Sequence, residues 1–309
     1  MKKITFSRFG NLSLYKFCKI FFHNIHEDEI FDRANSVAYN FILAIFPTVI
    51  FLFTLIPYIT VYLPEVSNES IMEFIKDFTP SNMYETISST VLDIVSNQRG
   101  GLLTFGFIFA LYLATNGMVA LMRAFNACYR TVDRRNWFRT RATAMGLTVM
   151  LSVVLFLAII LLVVGQVVIN YFTTHVQDLA ELNIDGLSIY FILTLRFLVI
   201  FIVFFLAISS IYYFGPAVHY NWNFFSIGSL FATFACLGIT YGFSYYVANF
   251  ASYNKVYGSI GTLIALMVWI QLMTMVLLFG YEINASLHYA TKAEAISLQK
   301  LKRKEKASR

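Results

Sequence analysis

Charge is what this chain has least of. Only 13% of its 309 residues are Asp, Glu, Lys or Arg, against about 25% in soluble domains. That shortfall excludes an ordinary water-soluble globule. Cysteine is scarcer still, with three residues in all. Cys18 and Cys128 are expected on the cytoplasmic side and Cys236 within an apolar span, so no disulfide is expected. A secretory leader is also missing from the pattern. The first apolar run starts at Ala34, is too long for a leader's core and lacks a small-residue cleavage site. No phosphate-binding glycine loop and no nucleophile–base constellation stands out, which leaves most enzyme classes without their usual signature.

What the chain has in excess is apolar length. It is 58% hydrophobic, with 32 Phe and 19 Tyr, residues that suit lipid-facing surfaces and interfacial belts. Charge is absent from Ala34–Pro64, Gly100–Met122, Ala142–Gln177, Phe197–Asn254 and Val256–Tyr281. About 20 apolar residues cross a bilayer as helix. The stretch Phe197–Asn254 is long enough for two crossings, divided by the polar segment Phe214–Asn223 that holds Pro216. The expected fold is therefore all-α, a polytopic membrane protein with six spans near 35–61, 101–122, 142–170, 189–213, 224–248 and 257–289. Three regions follow: a cytoplasmic or interfacial helix over 1–33, a membrane domain over 34–290 with an external helical insertion at 64–99, and a basic tail over 291–309.

The positive residues set the orientation. Lys2, Lys3, Arg8, Lys16, Lys19 and Arg33 precede span 1. Arg123, Arg130, Arg134, Arg135, Arg139 and Arg141 fill the loop after span 2, and Lys292, Lys300, Lys302, Arg303, Lys304, Lys306 and Arg309 fill the tail. The opposite side holds only Lys76, Arg99 and Lys255. Positive loops stay cytoplasmic, so both termini are expected inside, as an even number of spans requires. The net charge of +6 thus reads as an orientation signal flanking spans, and a nucleic-acid partner is not expected. The outer segments carry nine acids, among them Glu65, Asp77 and Asp185, and read as ordinarily solvated.

Leu12–Ile25 has helical periodicity, with Leu14, Phe17, Cys18, Phe21 and Ile25 on one face and Lys16, Lys19, His23 and His26 on another. This is the pattern of a helix lying on a membrane. His23, His26 and Glu27 share a face, yet specify no further ligand, and no metal or cofactor is expected. Pro47 and Pro57 interrupt span 1, either as a packing bend or as a hinge. Gly106, Ala110 and Ala114 in span 2, and the Gly238–Gly242 pair in span 5, read as close helix contacts. Gly100–Ala127 and Gly258–Ala285 echo one another, each starting at a glycine turn and ending in Asn-Ala, which hints at a parallel duplication.

Ionisable groups inside a membrane are costly and mark functional candidates. Arg196 in span 4 and Glu282 in span 6 qualify, with Asn284 beside the latter. At 1.5 Å per residue, Arg196 falls roughly 8 Å outward of the midplane and Glu282 about 13 Å inward, so a direct pair is not expected. The outer turn adds Asn249 and Asn254 to the candidate substrate pathway, while its Gly258 and Gly261 are expected to be structural.

Ser252–Gly261, Gly280-Tyr-Glu-Ile-Asn-Ala285, the Pro47 region, Arg123-Ala-Phe-Asn126 and Phe214-Gly-Pro216 together resemble the YihY/virulence factor BrkB family of bacterial inner-membrane proteins. The resemblance runs from about Arg33 to Tyr289. It implies six helices with cytoplasmic termini, structural roles for Pro47, Asn126, Pro216, Gly258 and Gly261, and an activity between transport and lipid handling. A ribonuclease label once attached to members is a remote alternative. Tyr281 departs from the family's small residue before the Glu, which argues against a close helix contact there. The expected function is a transporter or lipid-translocating envelope protein. The competing reading is a scaffold or envelope assembly factor, with the lipid bilayer as the one partner common to both.

Overall fold

The computed structural model describes residues 5–6, 12–59, 88, 91–94, 97–129, 131–176, 187–217, 224–249 and 259–307. Among these the chain is helical, apart from a two-residue antiparallel ladder of β1 (Thr5–Phe6) with β2 (Leu12–Ser13). The helices are α1 (Leu14–Glu27), α2 (Ile30–Ile59), α3 (Gly100–Cys128), α4 (Trp137–Val176), α5 (Leu187–Phe214), α6 (Ile227–Asn249) and α7 (Ser259–Ala307). Among the described residues, five segments are long and apolar enough to cross a membrane: Ile30–Tyr58, Gly100–Cys128, Phe197–Phe214, Ile227–Val247 and Leu263–Thr291. Helix α4 covers the backbone of the expected third span, although its side chains are described only in part. Most of the external insertion at 64–99, together with Asn254 and Gly258, lies outside the described residues.

The contacts divide the chain into two compact units. One comprises Asp32–Leu121 and Ile239–Thr274, the other Met1–Phe31, Met122–Gly238 and Met275–Arg309.

In the first unit, α2 and α3 meet through small residues. A Cβ on Gly106 would lie 3.5 Å from the Phe51 backbone, and one on Gly117 would strike the Phe41 ring at 2.7 Å. The Phe51 and Phe107 rings meet beside this contact, tilted by 50° with centroids 5.3 Å apart. Pro47 and Pro57 both lie within the continuous helix α2. Their missing N–H donors leave carbonyls short of a partner, and hydroxyls near them bond back to the helix: Thr48 donates to Ala44 at 2.6 Å and Thr54 to Ile50 at 2.9 Å. Pro47 itself is buried. Gln271 Nε2 donates to Asn35 Oδ1 at 2.7 Å, tying α7 to α2.

One packing expectation needs correction. No described atom comes within 4 Å of a Cβ placed on Gly238 or Gly242, so this GxxxG pair makes no helix contact within the described chain. Gly242 instead borders an apolar groove of about 480 Å³ between α6 and α7, lined also by Phe243, Tyr246, Ala265, Val268 and Leu272.

Candidate functional site

The polar centre of the second unit is Glu282. A carboxylate on an apolar helix has a heavy desolvation cost unless hydrogen bonds replace its water, and here they come from two helices. Asn24 of α1 donates through Nδ2 to Glu282 Oε1 at 2.9 Å, and Ser286, one turn along α7, donates to the same oxygen at 2.7 Å. Asn24 Nδ2 also reaches Ser286 Oγ at 3.2 Å, which closes a three-membered network. Glu282 and Ser286 are fully buried and Asn24 nearly so. Around this anchor, Phe17 and Ile20 of α1 pack on Leu287 and Ala290 of α7, as does Ile283 of α7 itself. Helix α1 is thus docked on α7 by a polar pin within an apolar seam.

Helix α1 passes to α2 through the two residues Asp28 and Glu29. The Asp28 amide still donates to Asn24 O at 2.8 Å, and Glu29 takes a left-handed backbone with φ 50°. That conformation, uncommon outside glycine, turns the chain in the shortest available distance.

Asn284 faces the other way from Glu282, as a two-residue offset on a helix requires. Its Oδ1 accepts the Gly228 amide at 2.8 Å, and its Nδ2 donates to Ser226 Oγ at 2.9 Å. Both partners sit at the start of α6, where a helix leaves its first amides without intrahelical acceptors. Ser226 and Ser229 satisfy others reciprocally: the Ser229 amide donates to Ser226 Oγ at 3.1 Å and the Ser226 amide to Ser229 Oγ at 3.2 Å. This is a capping box with serine at both ends. Ser209 of α5 joins it, donating to Ser229 Oγ at 3.0 Å.

Close approach makes these bonds reachable. A Cβ on Gly280 would meet the Gly228 carbonyl oxygen and the Ala232 Cβ, both at 2.7 Å, and a Cβ on Gly228 would collide with the Gly280 carbonyl. The close contact that Tyr281 argued against is therefore present, one residue earlier. Tyr281 itself is buried in an aromatic cluster, 4.2 Å from the Phe125 ring and 5.3 Å from Tyr212. Tyr212 donates its hydroxyl to Leu277 O at 2.6 Å. Tyr129, just past the end of α3, closes the cluster at 5.5 Å from Tyr281. Burial first, then the nearby Tyr281 and Glu282, holds its phenol well above the usual range and therefore neutral.

A third polar node joins the end of α3 to the segment after α5. Asn126 Oδ1 accepts the Ala217 amide at 2.7 Å, and its Nδ2 donates to Asp133 at 3.2 Å. Arg135 donates to the Gly215 carbonyl at 3.2 Å and to that of Pro216. Asn126 and Pro216, both expected as structural residues, stand together in this node.

The remaining candidates are placed less fully. Arg196 lies in α5 and Asn249 ends α6, with both side chains outside the described residues. Gly261 is buried in the first turn of α7. His23 sits 3.3 Å from Glu27 on an exposed face, and Cys18, Cys128 and Cys236 are joined in no disulfide. Asn24, Ser226, Ser229 and Gly228 were not singled out from the sequence. The Ser-x-x-Ser pattern before an apolar run is a recognisable helix start, and an Asn within a run of aromatics is a visible anomaly.

Long apolar helices pinned together by buried amides, serines and one carboxylate define a multi-pass helical membrane protein. The family described as Virulence factor BrkB matches residues 21–305, and the chain belongs to it. Its relatives include the ribonuclease-like protein YfkH of Bacillus subtilis, 32% identical over 86% of this chain and 92% of the relative. A UPF0761 membrane protein of Mannheimia succiniciproducens is 26% identical over 87% of this chain and 88% of its own length. Another, from Aggregatibacter aphrophilus, is 25% identical over 92% and 96%. No solved structure matches.

Proposed function

We propose that the protein crosses a bacterial inner membrane six times with both termini in the cytoplasm, and that it translocates a lipid or a similar amphiphile. The observation that carries this reading is the apolar groove between α6 and α7. It lies on two candidate spans, so what enters it comes from the hydrocarbon phase, and an acyl chain has the matching shape and polarity. The loop distribution of Lys and Arg supports the orientation. Arg196, a cation within an apolar helix, supports a polar route for a headgroup.

A non-transporting scaffold is the second reading, and one observation favours it. Glu282 and Asn284 are both engaged in holding helices together. The ribonuclease-like name of the Bacillus relative is a third and remote reading, for which His23, His26, Glu27, Asp28 and Asp32 are the aqueous candidates.

The test is reconstitution with a fluorescent phospholipid whose outer-leaflet pool is bleached by an impermeant reductant. Wild-type protein is expected to expose the inner pool. Gly242→Leu, which fills groove space, is expected to slow exposure about tenfold by denying burial to about two methylenes of the chain. A wild-type protein that leaves the inner pool protected while co-purifying with a stable partner sinks translocation and favours the scaffold.

A further inference from the structure

Helix α1 has two opposed faces, of which the docking on α7 uses one. At 3.6 residues per turn, Phe17, Ile20 and Asn24 fall together and meet α7. Tyr15, Lys16, Lys19, Phe22, His23 and His26 fall within about one third of the circumference on the other side, and all six are exposed. Two of them are large aromatics, Phe22 at 68% and Tyr15 at 51% exposure. An aromatic pair interleaved with lysines on a helix already anchored by its opposite face is a surface built for a partner.

Charge and position identify that partner. From Met1 to His26 the sequence carries Lys2, Lys3, Arg8, Lys16 and Lys19 and no acid; the first is Glu27, which pairs with His23. Only Asp28 and Glu29 separate α1 from the candidate span that begins at Ile30, so the chain cannot carry α1 far from the level where that span leaves the hydrocarbon. Four to eight basic residues beside a span, or on an amphipathic helix, match anionic lipid surfaces, and exposed aromatics suit the headgroup layer.

We propose that the exposed face of α1 is a binding site for anionic phospholipid headgroups, with Lys16 and Lys19 contacting phosphate and Tyr15 and Phe22 entering the headgroup layer. The face differs from the one that periodicity alone assigns to the membrane, because Phe17 of that apolar set is turned onto α7. The site requires neither translocation nor the six-span orientation.

The test uses the purified full-length protein in an uncharged detergent, so orientation and transport do not enter. Thermal unfolding is followed as phosphatidylglycerol, phosphatidylcholine or inorganic phosphate is added. Phosphatidylglycerol is expected to raise the unfolding temperature in a saturable way, with the other two giving no shift. The double variant Lys16→Gln/Lys19→Gln is expected to weaken that binding about 25-fold, about fivefold per lysine, and to leave the lipid-free unfolding temperature unchanged. Lys16→Arg/Lys19→Arg is expected to retain it. Wild-type affinity in the glutamine variant overturns the proposal, because binding then belongs to other cations such as those of the Arg123–Arg141 loop. Equal stabilisation by phosphatidylcholine or by free phosphate overturns it as well. A protein that binds phosphatidylglycerol as expected yet moves no lipid sinks translocation alone.

Discussion

Gly228→Leu is expected to destabilise the protein by at least about 3 kcal/mol, the upper end of overpacking costs, and so to prevent recovery of folded material. The first atom of any side chain at this position would occupy the space of the Gly280 carbonyl oxygen, with Asn284 Cγ only 2.7 Å away. The nearest obstacle is backbone and cannot swing aside. Separating the helices to make room breaks the bonds of Asn284 with the Gly228 amide and Ser226, which strips that amide at the start of α6 of its side-chain acceptor. Gly242→Leu supplies the contrast, because its Cβ meets no described atom within 4 Å, and a cost within about 0.5 kcal/mol is expected. Unfolding midpoints of the two variants in one detergent decide the matter. Equal losses, or a larger one at Gly242, would contradict the packing described here.

The second large effect is at the pin between α1 and α7. Asn24→Leu leaves the buried Glu282 carboxyl with the Ser286 hydroxyl as its remaining donor of the described network. A hydrogen bond to a charged group contributes about 1.5–3 kcal/mol, so a loss of about 2 kcal/mol is expected, together with faster proteolysis within α1. Glu282→Leu removes the acceptor, and the double variant should cost less than the two single changes summed, because neither partner is then stranded. A coupling of about 2 kcal/mol from this cycle supports the pin, whereas additive effects would sink it. Glu282→Gln retains an oxygen acceptor. Loss of translocation in a folded Glu282→Gln protein therefore reports on the carboxyl group itself and not on the anchor.

How far the sequence discloses this architecture depends on the residue. The long helices are legible because hydrophobic length is a local property, readable without neighbours. Glu282 and Asn284 stand out for the same reason, as polar groups in an apolar run. Their roles are not legible, because these depend on which helix lies opposite. Glu282 reads as a member of a polar pathway with Arg196, and the structure surrounds it with Asn24 and Ser286. The glycines show the limit most clearly. Gly238 and Gly242 have the spacing of a contact motif and meet no described atom, while Gly228 and Gly280, far apart in sequence and forming no motif, make the contact. Spacing along one helix reports which residues share a face and says nothing of what that face meets.

One pair of residues in the internal echo makes similar bonds. Asn126 and Asn284 stand at equivalent places in Gly100–Ala127 and Gly258–Ala285. Each accepts a backbone amide on its Oδ1, from Ala217 after α5 and from Gly228 at the start of α6. The two Asn-Ala steps, one near the end of α3 and one inside α7, thus bond to the two sides of one interhelical connection.

Topology underlies the proposed function, since leaflet, groove access and the meaning of the basic loops all follow from it. It is tested most directly by placing a single cysteine at Val132, which is 80% exposed in the loop after α3, in a background without Cys18, Cys128 and Cys236. Intact cells are then treated with a membrane-impermeant maleimide, with Lys255→Cys as the comparison position. The account predicts that position 255 is labelled in intact cells and position 132 only after the membrane is permeabilised. Labelling of position 132 in intact cells, with position 255 protected, would contradict it.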